Sequence, residues 1–212
     1  MLPVLPALRD LLPGGGLARG SVVAVPEYGL LCLALAAGAS AGGAWCAIAG
    51  IPEAGVAAAV RLGLDPDRTL LVPDPGGSWP QVVASLLDGC ELVLVHPRAR
   101  PAAPAHVTRR IEAALRRGHG VLLVAGDWPG ARLRLRVAGR DWAGLGDGHG
   151  RLRACRALVI AEGRGPAARP RTRRLWLPAE DGRVAAAEPG EVRPDGLSAA
   201  AAGESRLRAA AG

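Results

Sequence analysis

The stretch VVAVPEYGLLCLALA, residues 22–36, comes closest to a recognisable chemical site in this chain. An apolar strand-like run, a tight turn and an apolar helix follow one another, and in such a structure backbone N–H groups can bind phosphate. Phosphate chemistry also needs a lysine that reaches the β- and γ-phosphates and a serine or threonine hydroxyl for Mg²⁺. Leu30 and Leu31 follow the turn instead, and the chain contains no lysine. The stretch therefore predicts the architecture of a phosphate loop without its chemistry.

The remaining side chains that could do chemistry form no second pattern. The four cysteines are far apart with no CxxC pair, and the four histidines are not at metal-ligand spacing. We therefore expect no catalytic residue, no metal and no cofactor. Cys32, Cys46 and Cys90 lie in apolar runs and are predicted to be buried, reduced thiols, as expected of a cytoplasmic protein.

The composition is typical of a soluble globular protein that is rich in arginine. Half of the 212 residues are hydrophobic and 21% are charged, and the length suits one domain. All 26 basic residues are arginines, and the net charge of +7 favours nucleic acid or an acidic protein as a partner. Residues 28–51 carry no charge over a length that could span a bilayer. Because glycines interrupt this run, we interpret it as a helix, a turn and a strand, with no membrane contact.

Apolar runs alternate with helical patterns through the first 126 residues, which predicts a parallel α/β sheet. The predicted strands are 21–25, 44–50, 68–73, 90–97 and 120–126, and the predicted helices are 2–12, 30–39, 53–64, 78–89 and 106–117. Beyond residue 128 the segments RLRLRV, RLRACRALVIAEG and RRLWLP follow without a helix between them. They predict an antiparallel extension at the edge of the sheet. We expect one domain over residues 1–184 and a disordered tail over 185–212.

The order of these pieces resembles a known family. LPGGGLARGSVVAV, PEYGLLCLA, WCAIAG, VRLGLDPDRTLLV and DGCELVLVHP resemble the N-terminal part of the RecA ATPase core. LLVAGDWPGARLRLRV and GHGRLRACRALVIAEGRG look like its closing strands, so the likeness covers residues 5–184. It implies a RecA-like three-layer α/β core with a mainly parallel sheet and antiparallel C-terminal strands. Within that superfamily the chain is most similar to the ImuA group, in its short actinobacterial type.

The resemblance places the turn on the RecA phosphate loop residue by residue. Pro26 and Glu27 match its Pro-Glu pair, and Gly29 matches its last glycine. Leu30 and Leu31 then stand where the family requires lysine and serine or threonine. A planar arginine fork is not an easy substitute for the compact ammonium in that tight cradle.

Two further nucleotide-site positions have also changed. His96 stands where the fourth strand of a RecA core ends in an aspartate that helps hold Mg²⁺. Glu53 lies near the position of the water-activating glutamate, but after Pro52 we interpret it as an acid in a first helical turn. The resemblance therefore implies a pseudo-ATPase, with no catalytic use of these residues.

The function that the resemblance implies is a non-enzymatic adaptor in damage-induced mutagenesis, that is, translesion DNA synthesis. Its partner would be an ImuB-type relative of the Y-family polymerases and, indirectly, an error-prone polymerase complex. Such a protein would be cytoplasmic and associated with the nucleoid when active. Two alternatives stay open: a SulA-like inhibitor of cell division that binds FtsZ, and a RecA paralogue with residual DNA binding.

DNA contact can be judged from the loops that grip DNA in the RecA fold, after the fourth and fifth strands. The first falls in RARPAAPAH and holds Arg98 and Arg100 between prolines, and the second has shrunk to GDWPGA. The sequence therefore does not support binding to DNA as a RecA-style filament.

A different surface is predicted from the arginines and tryptophans that follow. The alternation in RLRLRV points Leu133 and Leu135 inward and the arginines outward, which is either a solvated sheet face or a surface for DNA or an acidic partner. The candidate partner residues are Arg132, Arg134, Arg136, Arg151 and Arg153, with Trp128 and Trp142 as exposed anchors. Arg151, Arg153 and Arg156 are expected near the first three arginines, and Trp45 is expected in the core.

Overall fold

A computed structural model describes residues 1–97, 105–146 and 149–188 of the chain. In this part of the chain the strands form one sheet of nine, in the order β3-β2-β4-β5-β1-β6-β7-β8-β9. The strands are β1 Ser21–Val25, β2 Cys46–Ala49, β3 Thr69–Val72, β4 Leu92–Val95, β5 Val121–Ala125, β6 Leu133–Gly146, β7 His149–Gly163, β8 Arg171–Trp176 and β9 Ala185–Ala186. The predicted α/β class is confirmed, with a mainly parallel sheet and antiparallel C-terminal strands.

Four α-helices connect the parallel strands in the described residues. They are α1 Leu30–Ala41, α2 Val56–Arg61, α3 Trp79–Gly89 and α4 Ala105–Gly118. The predicted helix at 53–64 is shorter in the structure because Gly55 and Gly63 have φ values of +61° and +106° and bound it at both ends. The predicted N-terminal helix is a 3₁₀ helix over Pro6–Leu11. None of the described helices is both long and apolar enough to cross a bilayer.

The pairing register shows where the sheet changes direction. β1 pairs with β5 from Ser21↔Val121 to Val25↔Ala125, and β6 is also parallel to β1, through Val23↔Leu133. The sheet reverses at the hairpin of β6 and β7, after which β8 and β9 add antiparallel strands. β6 is longer than the predicted 132–137 and continues to Gly146.

Two hydrophobic cores lie on opposite sides of the sheet. The first lies on the side of α1 and extends from Ile48 in β2 to Val159 in β7 and Leu175 in β8. α1 is buried over Leu31–Ser40 because the N-terminal segment covers its outer side, which explains why it is apolar all round. The second core lies under α3 and α4 and includes Val93 and Leu122.

The chain from residue 184 onward begins as part of the sheet. Ala185 and Ala186 pair with Trp176 and Leu175, so the ordered domain extends past the predicted boundary at residue 184. Residues 189–212, which make up most of the predicted tail, lie outside the described residues. Residues 98–104, which include Arg98 and Arg100, also lie outside them.

Candidate functional site

The turn that resembles a phosphate loop connects the buried strand β1 to the N-terminus of α1. Gly29 caps the helix with φ 169° and ψ −165°, an extended conformation that any residue adopts. A Cβ atom built on Gly29 would meet no atom within 4 Å. Neither backbone conformation nor crowding therefore requires glycine at Gly29, whereas a phosphate loop uses glycine to let the backbone approach the ligand closely.

Leu30 and Leu31 pack into the protein. Leu31 is 3% exposed and belongs to the core on the α1 side of the sheet, and Leu30 is partly buried against the same core. The first turn of α1 is thus held on the sheet by apolar contacts at the two positions where a phosphate loop needs a lysine and a hydroxyl.

Tyr28 links the turn to two neighbouring connections. Its ring stacks on His96 at the end of β4, with centroids 6.4 Å apart and an interplanar angle of 16°. Its hydroxyl donates a hydrogen bond of 2.5 Å to the carbonyl of Ala54, between β2 and α2. Burial, helped by the nearby Cys32, raises the pKa of Tyr28 to about 12, so the hydroxyl remains a proton donor. One side chain therefore ties together three connections at the carboxyl ends of the parallel strands.

His96 is held from both sides. Its Nδ1 lies 2.6 Å from the carbonyl oxygen of Ala125 at the end of β5, and because a carbonyl only accepts, Nδ1 carries the proton and donates. Gly50 lies against its backbone, since a Cβ on Gly50 would come within 2.5 Å of the His96 carbonyl oxygen. The imidazole thus joins β4 to β5 and supports the Tyr28 ring.

Glu27 forms an ion pair instead of facing a nucleotide. Its Oε2 lies 2.9 Å from Nη2 of Arg140 in β6, and the two side chains are 70% and 44% exposed. Beneath this pair a cleft of about 420 Å³ extends to Trp142 and Pro178. Trp142 is 44% exposed, and it lies in β6 rather than in the predicted loop.

Glu53 lies in a position different from the predicted one. It is exposed in the turn before Gly55, and α2 begins only at Val56. The interpretation of Glu53 as an acid in a first helical turn is therefore wrong. The left-handed Gly55 at the N-cap, which delays the start of the helix, is the cause.

A second cavity, of about 770 Å³, lies at the carboxyl ends of β4 and β5. Trp128 lines it but is only 2% exposed, and its ring meets Trp79 of α3 edge-to-face at 6.5 Å. The prediction of Trp128 as an exposed anchor is therefore wrong, because α3 lies close enough to bury the short loop. Trp45, which was expected in the core, is 45% exposed just before β2.

The predicted arginine surface divides into separate parts. Arg134 and Arg136 project from β6 away from the buried Leu133 and Leu135, as the alternation predicts, and Arg132 is exposed just before the strand. Arg134 forms an ion pair with Asp127.

Arg151 and Arg153 lie at the other end of the β6–β7 hairpin. Arg134 pairs with Glu162, whereas Ala143 pairs with Ala154, and these rows are roughly 30 Å apart at the rise of a β-strand. The expectation that Arg151 and Arg153 lie near the first arginines is therefore wrong.

The strand pairing brings two other residues toward Arg136 that sequence reasoning missed. The pairing of β7 with β8 places Arg174 opposite Leu158 and Trp176 opposite Arg156. The guanidinium carbon of Arg156 lies 5.2 Å from the centroid of the Trp176 ring. Only the alternation within RTRRLW could have indicated that Arg174 and Trp176 share a face. That pattern does not reveal which strand pairs with β8. Within the described residues, no group of three or more His, Cys, Asp or Glu side chains could hold a metal ion.

Together these features define an α/β protein whose phosphate-loop-like turn is packed with apolar and aromatic side chains. Residues 10–130 match the family model of the MT3502 N-terminal domain, and the chain belongs to that family. The match contains the turn and β1–β5 and ends before β6 begins. The uncharacterized protein Rv3395c of Mycobacterium tuberculosis is 35% identical to this chain over 136 residues, which are 62% of this chain and 67% of that protein.

Proposed function

We propose that this chain is a non-enzymatic, RecA-like adaptor that works by binding other proteins in translesion DNA synthesis. The observation that supports a role without ATP hydrolysis is the packing of the turn. Leu31 belongs to the core, and the Tyr28 hydroxyl donates a hydrogen bond to Ala54. The resemblance to the ImuA group supplies the partner, an ImuB-type relative of the Y-family polymerases, and through it an error-prone polymerase.

Among the described residues, the side chains at the turn are engaged in other contacts and do not form a site for nucleotide chemistry. Phosphoryl transfer depends on a cation and a metal-holding carboxylate positioned around the phosphates. Arg140 lies beside the turn, and its guanidinium is already paired with Glu27. At the end of β4, the imidazole of His96 donates to Ala125, and an imidazole does not suit the hard Mg²⁺ ion.

The first experiment tests the nucleotide site by isothermal titration with ATP·Mg²⁺. We expect no saturable heat for the full chain, and none for Leu30→Lys/Leu31→Thr, because Tyr28 and His96 still fill the surroundings of the turn. Leu31→Thr should also lower stability by about 1–3 kcal/mol, since it places a hydroxyl in the core. Saturable binding by the wild-type chain in the micromolar range would contradict the proposal.

The second experiment tests the partner. The full chain is co-expressed with the ImuB-type protein of the same organism, and a stable complex should elute together from a size-exclusion column. The matched control is an unrelated arginine-rich protein of similar size, which should not elute with the partner. A folded ImuB-type protein that elutes separately would overturn the proposal. Inhibition of FtsZ polymerisation by the chain would instead favour the SulA-like alternative.

A further inference from the structure

One side of β6, β7 and β8 has no helical layer over it in the described residues. The core under α3 and α4 draws on β1, β2, β4 and β5 and contains no residue of β6–β8. On the other side the same three strands are packed, through Leu135, Val159 and Leu175. The α3 and α4 layer therefore stops at β1 and leaves the sheet uncovered beyond it.

The strand register gives the residues on this uncovered side. Adjacent paired residues point to the same face of a sheet. Three rows result: Arg136–Ile160–Thr172, Gly139–Leu158–Arg174 and Asp141–Arg156–Trp176. We call the six side chains Arg136, Arg156, Leu158, Ile160, Arg174 and Trp176 the open sheet face.

The open sheet face has an aliphatic centre with arginines around it. Leu158 and Ile160 are half-buried in the middle strand, where neighbouring arginine stems can cover them. Among the described residues, no carboxylate lies within ion-pairing distance of Arg136, Arg156 or Arg174. Nε of Arg174 is buried without an acceptor in the same part of the chain. The face thus carries three cations that form no ion pair within the described residues, although Asp141 lies across the strands from Arg156. This excess of positive charge favours an acidic partner.

The carboxylates nearest to the face lie at its two ends. Asp141 pairs across the strands with Arg156 at one end, and Glu162 pairs with Arg134 at the other. Arg134 in turn forms its ion pair with Asp127. The three arginines are therefore spread over the three rows, with Asp141 in the same row as Arg156 and Glu162 in the row beyond Arg136.

The dimensions of the face match those of a helix. Three rows along the strands span about 13 Å, and three strands side by side span about 10 Å. An α-helix with its side chains is about 10–12 Å across, so about three turns would cover the rows. Such a helix would continue the layer that α3 and α4 form over the parallel strands.

We propose that the open sheet face binds an acidic amphipathic helix of a partner protein, which rests on the proposed function as an adaptor. An apolar stripe of that helix packs on Leu158 and Ile160, and carboxylates on both sides of the stripe pair with the three arginines. A single-stranded nucleic acid fits less well, because the two central side chains are aliphatic and cannot stack with bases. Trp176, the one aromatic residue of the face, already has Arg156 over its ring.

The test uses the full chain and a fluorescein-labelled designed helical peptide of about four turns, with a leucine stripe flanked by glutamates. Its twin carries lysines in place of the glutamates, and labelled oligo(dT) is the third probe. The variant is Arg136→Gln/Arg156→Gln/Arg174→Gln. The control variant is Arg110→Gln/Arg116→Gln/Arg117→Gln, which removes three exposed charges from α4. Thermal unfolding followed by circular dichroism checks the fold of each variant.

We expect the acidic peptide to bind the wild-type chain and the control variant equally, and the triple variant at least about tenfold more weakly. Binding should weaken between about 0.05 and 0.3 M NaCl. If the triple variant fails to fold, Arg136→Gln alone, at an exposed side chain, should weaken binding about threefold. Equal binding of the acidic peptide to wild type and to the variant would overturn the proposal, as would equal binding of the lysine twin.

Two further outcomes would identify a different occupant of the open sheet face, and a last measurement uses the proposed ImuB-type partner. Binding of oligo(dT) that depends on the same three arginines would overturn the proposal in favour of nucleic acid, and self-association lost in the variant would overturn it in favour of a second copy. An ImuB-type protein that binds wild type and variant alike contradicts this inference alone. If that protein binds neither while the acidic peptide behaves as expected, the proposed function fails and the docking surface stands.

Discussion

The sheet has two regions that differ in how many of their faces are covered. β1, β2, β4 and β5 are buried on both faces, between α1 on one side and α3 and α4 on the other. Within the described residues, β6, β7 and β8 are packed on the α1 side only. The fully covered strands lie within residues 10–130, which match the family model, and the half-covered strands lie beyond them. The chain therefore combines a hydrophobic core around the parallel strands with a polar surface on β6, β7 and β8.

The strand sequences reflect this difference in the number of covered faces. SVVAV, CAIA, LVLV and VLLVA are buried at every position, because neither face of these strands meets water. RLRLRV alternates instead, with leucines on the packed face and arginines on the other. β3 is the exception in the parallel part, because it lies at the edge of the sheet and exposes Leu70 and Leu71 by 46% and 48%.

Two neighbouring residues of β6 give the largest expected contrast. Leu135 is fully buried in the α1-side core, so Leu135→Ala should lower the free energy of unfolding by about 2–5 kcal/mol. Arg136, the next residue, faces the uncovered side, and Arg136→Ala should change it by less than about 0.5 kcal/mol. Urea unfolding of both variants measures this, and a cost above about 1.5 kcal/mol for Arg136→Ala would show that the outer face is packed after all.

The N-terminal cover of α1 gives the next contrast. A Cβ atom on Gly38 would lie 2.4 Å from the backbone nitrogen of Leu5 and 2.5 Å from Cα of Val4. Gly38→Ala should therefore cost about 1–3 kcal/mol through overpacking. Gly89, the last residue of α3, has open space around its Cα, so Gly89→Ala should be neutral within about 0.5 kcal/mol or slightly stabilising. Thermal unfolding compares the two, and equal midpoints would mean that the N-terminal segment does not hold α1.

Much of the fully covered region could be predicted from the sequence, because its signal is local. Continuous apolar runs predict strands buried on both faces, and the predicted and observed strands agree to within a few residues. The packing of Leu30 and Leu31 could be predicted in the same way, from side chains that have no use in phosphate chemistry.

The rest depends on contacts between distant residues, which the sequence pattern does not contain. Trp128 was predicted to be exposed because it lies in a glycine-rich loop, whose composition does not reveal that α3 packs against it. Trp45 was predicted to be buried because it lies in an apolar run, but it precedes β2 and is 45% exposed. The open sheet face could not be predicted, because the register of β6, β7 and β8 decides which side chains lie next to one another on it. The stacking of Tyr28 on His96 joins residues 68 positions apart in the chain.

The buried thiols of the covered region predict a loss of stability in alkali. Burial raises the pKa of Cys32 and Cys46 from 9.0 to about 12. Above pH 9 the unfolded chain releases these protons more readily than the folded protein, so stability is complete below pH 9 and falls as the pH rises toward 12. Cys32→Ala/Cys46→Ala should flatten this slope between pH 9 and 10, where the two thiols contribute more to it than Tyr28 does.

The measurement is the urea midpoint at several pH values under a reducing agent. Wild type and the double variant should have parallel profiles between about pH 6 and 7.5, where thiols are protonated in both states. Identical slopes above pH 9 would mean that water reaches both thiols in the folded protein.

The smallest expected effect concerns the ion pair of Glu27 and Arg140, which joins the turn of the covered region to a strand of the half-covered region. Both side chains are largely exposed, so the coupling free energy from the cycle Glu27→Gln, Arg140→Gln and the double variant should be about 0.2–1 kcal/mol. It should shrink further in about 0.5 M NaCl, because salt screens exposed charges. A coupling free energy well above 1 kcal/mol would mean that this ion pair contributes substantially to the contact between the two regions. A small coupling would leave their attachment to the parallel pairing of β1 with β6 and to the core that they share on the α1 side.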